Sequence, residues 1–309
     1  MTASQRLRLG TRPSALARWQ ADWVAQRLIG LGVDVELVPI TTQGDVARDR
    51  IGNIGSPGVF TKELQNALLE KRIDLAVHSL KDLPTEPVAA LTLAAIPPRD
   101  SPYDVLVSRG TLLADLPQGA TIGTDSLRRR AQLLFARSDL CMKDIRGNVD
   151  TRIRKLEEGQ YDALVLAEAG LARLGLQQHI SQVLTVEIML PAVGQGALAI
   201  EARADDEATL AAVASLDDPR TRQAVIAERA LLAALRGGCL APIGALGQIQ
   251  SDGLLHLRAI VLSPDGRSRL TASAADEPAD AIQLGGHVAD QLILQGAELL
   301  IDAARRTLD

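Results

Sequence analysis

Strand-length apolar runs alternate with helical periods over the first two-thirds of the chain. Each run stops abruptly at glycine or polar residues. Runs at 7–10, 33–40, 75–77 and 91–96 are interleaved with helical periods at 15–29 and 61–70. Runs at 105–107, 121–123, 142–145 and 163–167 are interleaved with helical periods at 127–136, 149–158 and 169–174. Strand and helix alternating at this spacing imply βαβ units in α/β lobes. In open sheets of that class ligands bind beyond the carboxyl ends of the strands, so those ends are where chemistry is sought.

Aromatic residues make up only 2% of the chain, so the cores must be built from Leu, Ile, Val and Ala. Leu16, Trp19, Trp23, Val24 and Leu28 recur at helical spacing behind Ser14, a natural N-cap. That face, both tryptophans included, is expected in a core. Residues 45–58 carry no periodicity and read as a lid, a binding loop or a disordered segment. MLPAVGQG at 189–196 breaks the alternation, and the strand at 197–202 is expected to return to the first sheet. The last third looks separate. A helix at 221–235 buries Val225, Ile226, Leu231 and Leu232, and a glycine turn at 236–239 follows. Strands at 245–249, 254–262 and 269–274 read as an antiparallel meander turning at Asp252-Gly253 and Asp265-Gly266. A terminal helix at 279–295 covers it. The expected domains are 1–98 with 196–216, 99–195, and 217–309, with a ligand cleft between the first two.

Several classes are disfavoured. No apolar run approaches the ~20 residues that span a bilayer, and the first residues lack the apolar stretch of an export signal. Two cysteines in 309 residues are not a disulfide framework. A cytoplasmic protein without membrane contact is expected. A net charge of −5 and the lack of a basic helix-turn-helix argue against nucleic acid. The four histidines show no metal-ligand spacing, and no P-loop or G-x-G-x-x-G indicates a nucleotide.

Candidate chemistry gathers at strand ends. In LAVHSLKDLP, residues 75–84, an apolar run gives way to His78, Ser79, Lys81 and Asp82. GTDSLRRR enters a helix with Thr124, Ser126, Arg128 and Arg129, at a position where main-chain N–H groups and the helix dipole attract anions. Either Asp125 or Ser126 would cap that helix. IRGNVDTR repeats the theme with Arg146, Asn148 and Arg152. Arg12 and Arg173 also fall near junctions. Arginine grips carboxylates bidentately, so the placement suggests a ligand rich in carboxylates. Cys239 sits on a glycine turn, where a covalent attachment or a nucleophile is credible. Cys141 reads as a buried small hydrophobe.

Seven segments in order resemble the hydroxymethylbilane synthase (porphobilinogen deaminase) family: TRPSALARWQA, VHSLKDLPT, GTDSLRR, IRGNVDTR, LAEAGLARLG, LPAVGQGAL and GGCLAPIG. The resemblance implies two lobes like those of periplasmic binding proteins, with mixed, mostly parallel sheets. A smaller α/β C-terminal domain with an antiparallel sheet would follow them. It also implies a monomeric transferase of tetrapyrrole and haem biosynthesis. Such an enzyme joins four porphobilinogen molecules head to tail with loss of ammonia, on a dipyrromethane cofactor linked by a thioether to Cys239, and releases hydroxymethylbilane by hydrolysis.

By the same resemblance, Ser79, Lys81, Thr124, Ser126, Arg128 and Arg129 would hold the cofactor's acid groups. Arg12, Ser14, Arg146, Asn148, Arg152 and Arg173 would serve the substrate and the growing chain. Asp82 would be the catalytic carboxylate, ionised among desolvating walls and stabilising the cation left when ammonia departs. Phe60 matches the aromatic at the lid's end. The chain departs from the family pattern at Asn53 and Pro57, where lysines are usual, and at Asp125, where a serine is usual. The rival reading is a two-lobed protein that binds a small polyanion without chemistry.

Overall fold

The computed structural model describes residues 6–41, 61–237 and 241–306. The loop at 45–58, Phe60 and Cys239 lie outside them. The chain divides into two compact units, residues 1–99 with 197–222 and residues 100–196 with 223–309.

The first unit is built on a five-stranded sheet of order β2-β1-β3-β10-β4. Its strands are β1 (Leu7–Thr11), β2 (Val35–Pro39), β3 (Leu75–Ser79), β4 (Leu91–Ala95) and β10 (Leu198–Arg203). β2, β1 and β3 run parallel, and β10 runs antiparallel to both β3 and β4. Helix α1 (Ala15–Gly30) covers one face. There Leu9, Val24, Leu28, Leu75, Val77 and Ile200 form one core. Helix α2 (Lys62–Leu69) covers the other, over Ile40, Leu64, Leu68 and Ile73. β3 and β10 are buried almost throughout. This is why they read as continuous apolar runs instead of alternating ones.

The second unit repeats the arrangement. Its strands are β5 (Asp104–Ser108), β6 (Thr121–Gly123), β7 (Cys141–Lys143), β8 (Ala163–Ala167) and β9 (Ile180–Leu184), in the order β7-β6-β8-β5-β9. β7, β6 and β8 are parallel, and β5 is antiparallel to β8 and β9. Each five-stranded sheet therefore contains one reversed strand, and that strand is the one that follows or precedes a crossing of the chain. Helices α3 (Leu127–Ala136), α4 (Val149–Glu157) and α5 (Glu168–Arg173) pack on it. The same unit holds the antiparallel sheet β11 (Ile243–Ile249), β12 (Leu255–Leu262) and β13 (Arg269–Asp276). Between α5 and that sheet the chain forms α6 (Glu207–Val213), in the first unit, and α7 (Pro219–Ala234). α8 (Ala281–Leu294) and α9 (Ala297–Arg306) close the fold. Leu231, Leu257, Val288, Leu292 and Ile301 share the core of the third sheet. The mixed α/β class, with two mostly parallel five-stranded sheets and a small antiparallel one, is as expected.

Local expectations were corrected in several places. β9, α6 and α9 were not anticipated. His78 and Ser79 belong to β3 and do not lie beyond it, since β10 pairs with both. Cys141 is exposed, on the short edge strand β7. Trp23 packs against the core only in part and carries the Arg27 guanidinium 3.5 Å from its ring centre.

Candidate functional site

β1 and β3 are parallel neighbours, with Leu9 opposite Leu75. Their carboxyl ends therefore deliver side chains to one edge of the first unit. Arg12 follows β1, and Ser14 caps α1 by accepting a hydrogen bond from the Ala17 N–H at 3.4 Å. Ser79 ends β3, and a 3-10 turn, Leu80–Asp82, follows. Arg12, Ser14, Gln20, His78, Ser79 and Asp82 line one recess. Lys81 sits half-buried on the turn beside them. The turn is fixed at both ends, since the Leu80 N–H donates to the Ala197 carbonyl at 3.0 Å and the Leu83 N–H to the Leu80 carbonyl at 3.1 Å. Asp82 is exposed, not desolvated as the sequence reading had it. The tight turn swings it off the sheet edge.

Two hydrogen-bonded groups that the sequence reading did not find support the walls of the recess. Gln20 Nε2 donates to Ser79 Oγ at 2.8 Å. Glu201 of β10 accepts from Gln65 Nε2 at 3.0 Å and shares a 3.1 Å hydrogen bond with His78 Nε2. Buried polar groups of this kind fix rotamers because leaving one unpaired is costly. The signal was present: Glu201 interrupts an otherwise apolar strand, and Gln20 lies on the apolar face of α1.

In the second unit, β6 ends at Gly123 and Thr124 is completely buried. Thr124 Oγ1 accepts from the Ser126 N–H at 3.2 Å, and Ser126 Oγ accepts from the Arg129 N–H at 3.4 Å. Ser126, not Asp125, is the helix cap. Arg128 and Arg129 point inward. Nη1 of Arg128 donates to Asp104 Oδ2 at 2.7 Å and to the Leu190 carbonyl at 2.8 Å. Arg129 donates Nε to Asp104 Oδ1 at 2.9 Å and Nη1 to the Val165 carbonyl at 3.0 Å. Burial pulls the Arg128 guanidinium below its ordinary pKa, and Asp104 acts against that shift. Two guanidiniums on one carboxylate leave a positive charge at the start of α3, a donor set suited to acid groups. Asp104 went unnoticed in the sequence, although an acid opening the apolar strand DVLV was the available clue.

Arg146 and Asn148 are exposed at the β7–α4 junction. Arg152, one turn into α4, donates Nε to the Gly147 carbonyl at 2.8 Å and its two terminal nitrogens to the Asp125 carboxylate. Arg173 is buried at the end of α5, where Nε reaches Asp100 at 2.9 Å and Nη2 the Gly196 carbonyl at 2.7 Å. Burial lowers its pKa, opposed by Asp100. The structure thus gathers Arg12, Ser14, Ser79 and Asp82 at one recess. Thr124, Ser126, Arg128 and Arg129 gather at another helix start, with Arg146, Asn148 and Arg152 at a neighbouring junction. Among the described residues no group of three or more His, Cys, Asp or Glu side chains is arranged to hold a metal. Nor is any helix among them long and apolar enough to cross a membrane.

Comparison with known proteins agrees with these features. Residues 7–211 match the family described as "Porphobilinogen deaminase, dipyromethane cofactor binding domain". Residues 222–293 match "Porphobilinogen deaminase, C-terminal domain". The porphobilinogen deaminase of Brevibacillus brevis is 49% identical over 294 residues, covering 94% of each chain. That of Pelotomaculum thermopropionicum is 48% identical over 302 residues, covering 96% of each. Among solved structures, the methionine-binding protein MetQ aligns with 68% of this chain and 89% of its own, at 15% identity and a TM-score of 0.45.

Proposed function

The chain belongs to the porphobilinogen deaminase family, and on that premise we propose how its own residues carry out the family's reaction. It is a transferase of tetrapyrrole biosynthesis that joins four porphobilinogen molecules head to tail, with loss of ammonia, on a dipyrromethane cofactor. The tetrapyrrole hydroxymethylbilane is then released by hydrolysis. The match to the cofactor-binding family over residues 7–211 is the observation that carries this reading over the rival of a non-catalytic binding protein.

The proposal takes 1–98 with 196–216 and 99–195 as the two binding lobes, and 217–309 as the domain that carries the cofactor through Cys239. The donor chemistry fits. A dipyrromethane bears several acid side chains, and the hydroxyls of Ser79, Thr124 and Ser126, with Lys81 and the excess charge of Arg128 and Arg129, are groups that hold carboxylates. When bound, the cofactor supplies the pyrrole carbon to which the first substrate is joined. Arg12, Ser14, Arg146, Asn148, Arg152 and Arg173 would orient the acid groups of porphobilinogen and of the growing chain. Asp82, which lines the recess from a fixed turn, would stabilise positive charge as ammonia leaves, and accept or return a proton at its carboxylate. Porphobilinogen is the partner, and we place the protein in the cytoplasm as a monomer, without nucleic acid or membrane contact.

Intact mass of the purified protein beside Cys239→Ser tests this reading. The wild type should exceed its sequence mass by two linked pyrrole units and the variant should not. A wild type that stays at sequence mass after incubation with porphobilinogen or preformed hydroxymethylbilane would overturn the reading in favour of the binding protein.

A further inference from the structure

Arg152 reaches Asp125 with both ends of its fork, Nη1 to Oδ1 at 3.1 Å and Nη2 to Oδ2 at 3.3 Å. Its Nε is separately held by the Gly147 carbonyl at 2.8 Å. Gly147 has a φ of +114°, and a Cβ there would lie 2.8 Å from the Thr151 side chain, so that carbonyl is fixed by a backbone only glycine adopts easily. The plane of Arg152 is therefore set without Asp125. What Asp125 adds is a carboxylate across the paired terminal nitrogens, the arrangement in which arginine takes a ligand carboxylate.

We propose that Asp125 is a positioning residue that occupies the Arg152 fork as an internal substitute for a ligand carboxylate, and so raises the porphobilinogen concentration needed to engage it. The inference rests on the reading of Arg152 as a substrate contact. One carboxylate fits across a pair of terminal nitrogens, so an arriving acid group must displace Asp125. Displacement is feasible because the contacts are longer than the ~2.7–2.9 Å of strong charge-assisted bonds, and the Asp125 side chain is 48% exposed, ready to turn into water. Ser126 caps the helix, so Asp125 is not needed to start α3.

The test is steady-state kinetics of the holoenzyme with porphobilinogen for Asp125→Asn, Asp125→Ser, Arg152→Gln and the double variant Asp125→Asn/Arg152→Gln. Asp125→Asn and Asp125→Ser should lower KM about two- to fivefold, the range set by an exposed ion pair, with kcat changed by less than about twofold. Added salt should shrink the difference. Arg152→Gln should raise KM, and on that background Asp125→Asn should have no further effect. In nuclear magnetic resonance spectra, the Arg152 guanidinium signals, assigned by their loss in Arg152→Gln, should show faster rotation in Asp125→Asn. An unchanged or higher KM in both Asp125 variants, with Arg152→Gln still impaired, overturns the proposal alone. An equal fall in KM on the Arg152→Gln background also overturns it, because the effect would then be one of net charge. An unchanged KM in Arg152→Gln removes the substrate role of Arg152 and the proposal with it.

Discussion

Nη1 of Arg128 lies 2.7 Å from Oδ2 of Asp104, and the carboxylate is wholly buried. Arg129 shares the same acid. Desolvating three charged groups is tolerable only because they face one another and two main-chain carbonyls. Asp104→Asn keeps the shape and removes the charge, leaving two buried guanidiniums uncompensated. It should destabilise the protein by about 3–5 kcal/mol, read as a fall in the urea midpoint. A change under about 1 kcal/mol would mean that the arginines find water.

Asp82 makes the opposite case. It is exposed on a turn whose hydrogen bonds come from the main chain. Asp82→Asn should leave stability within about 0.5 kcal/mol while turnover falls by roughly 100-fold or more. Porphobilinogen consumption by protein whose mass confirms the bound cofactor checks this. A near-normal rate would remove Asp82 from its role.

Gly196 has a φ of +87°, and a Cβ there would lie 2.5 Å from the Asp100 carbonyl oxygen and 2.6 Å from that of Ser101. Neither contact can yield, because both atoms are main chain. Its own carbonyl accepts from Arg173. Gly196→Ala should cost about 3 kcal/mol or more and disturb Arg173. Thermal unfolding reads the first effect and substrate KM the second.

Asp74 gives the first unit an acid-sensitive element. Burial alone would raise its carboxyl pKa. Hydrogen bonds from the Arg8 side chain and main chain, and from Arg203, outweigh this and hold it below the ordinary value. A carboxyl depressed in the folded state contributes stability that is complete above its unfolded pKa of about 3.9. That contribution is lost as pH falls through the lower folded value. Asp74→Asn should therefore be less stable than wild type at pH 6, and the gap should narrow as the wild type is taken from about pH 4 towards pH 2. Urea unfolding across that range checks it, and a gap that stays constant would count against the assignment.

The sequence by itself determined the class of the fold and the positions where chemistry gathers. The apolar runs at 75–77 and 163–167 mark strands because a strand buried on both faces must be apolar until it emerges. Ser14 as a cap, α3 in full and the return of β10 to the first sheet were legible for the same local reasons. β9 and α6 went unread although they are no shorter than β8 and α5, because Ser181 and Gln182 interrupt the apolar run of β9 and α6 carries one large apolar residue, Leu210, ahead of Val213.

Only the tertiary structure decided the partners of the charges. Asp104 meets Arg128 and Arg129 across 24 and 25 residues, Gln20 meets Ser79 across 59, and Asp125 meets Arg152 across 27. Local sequence carries the propensity to start a helix or end a strand. It carries no distance between strand ends, and a charge becomes a support, a ligand contact or a decoy according to what that distance brings beside it.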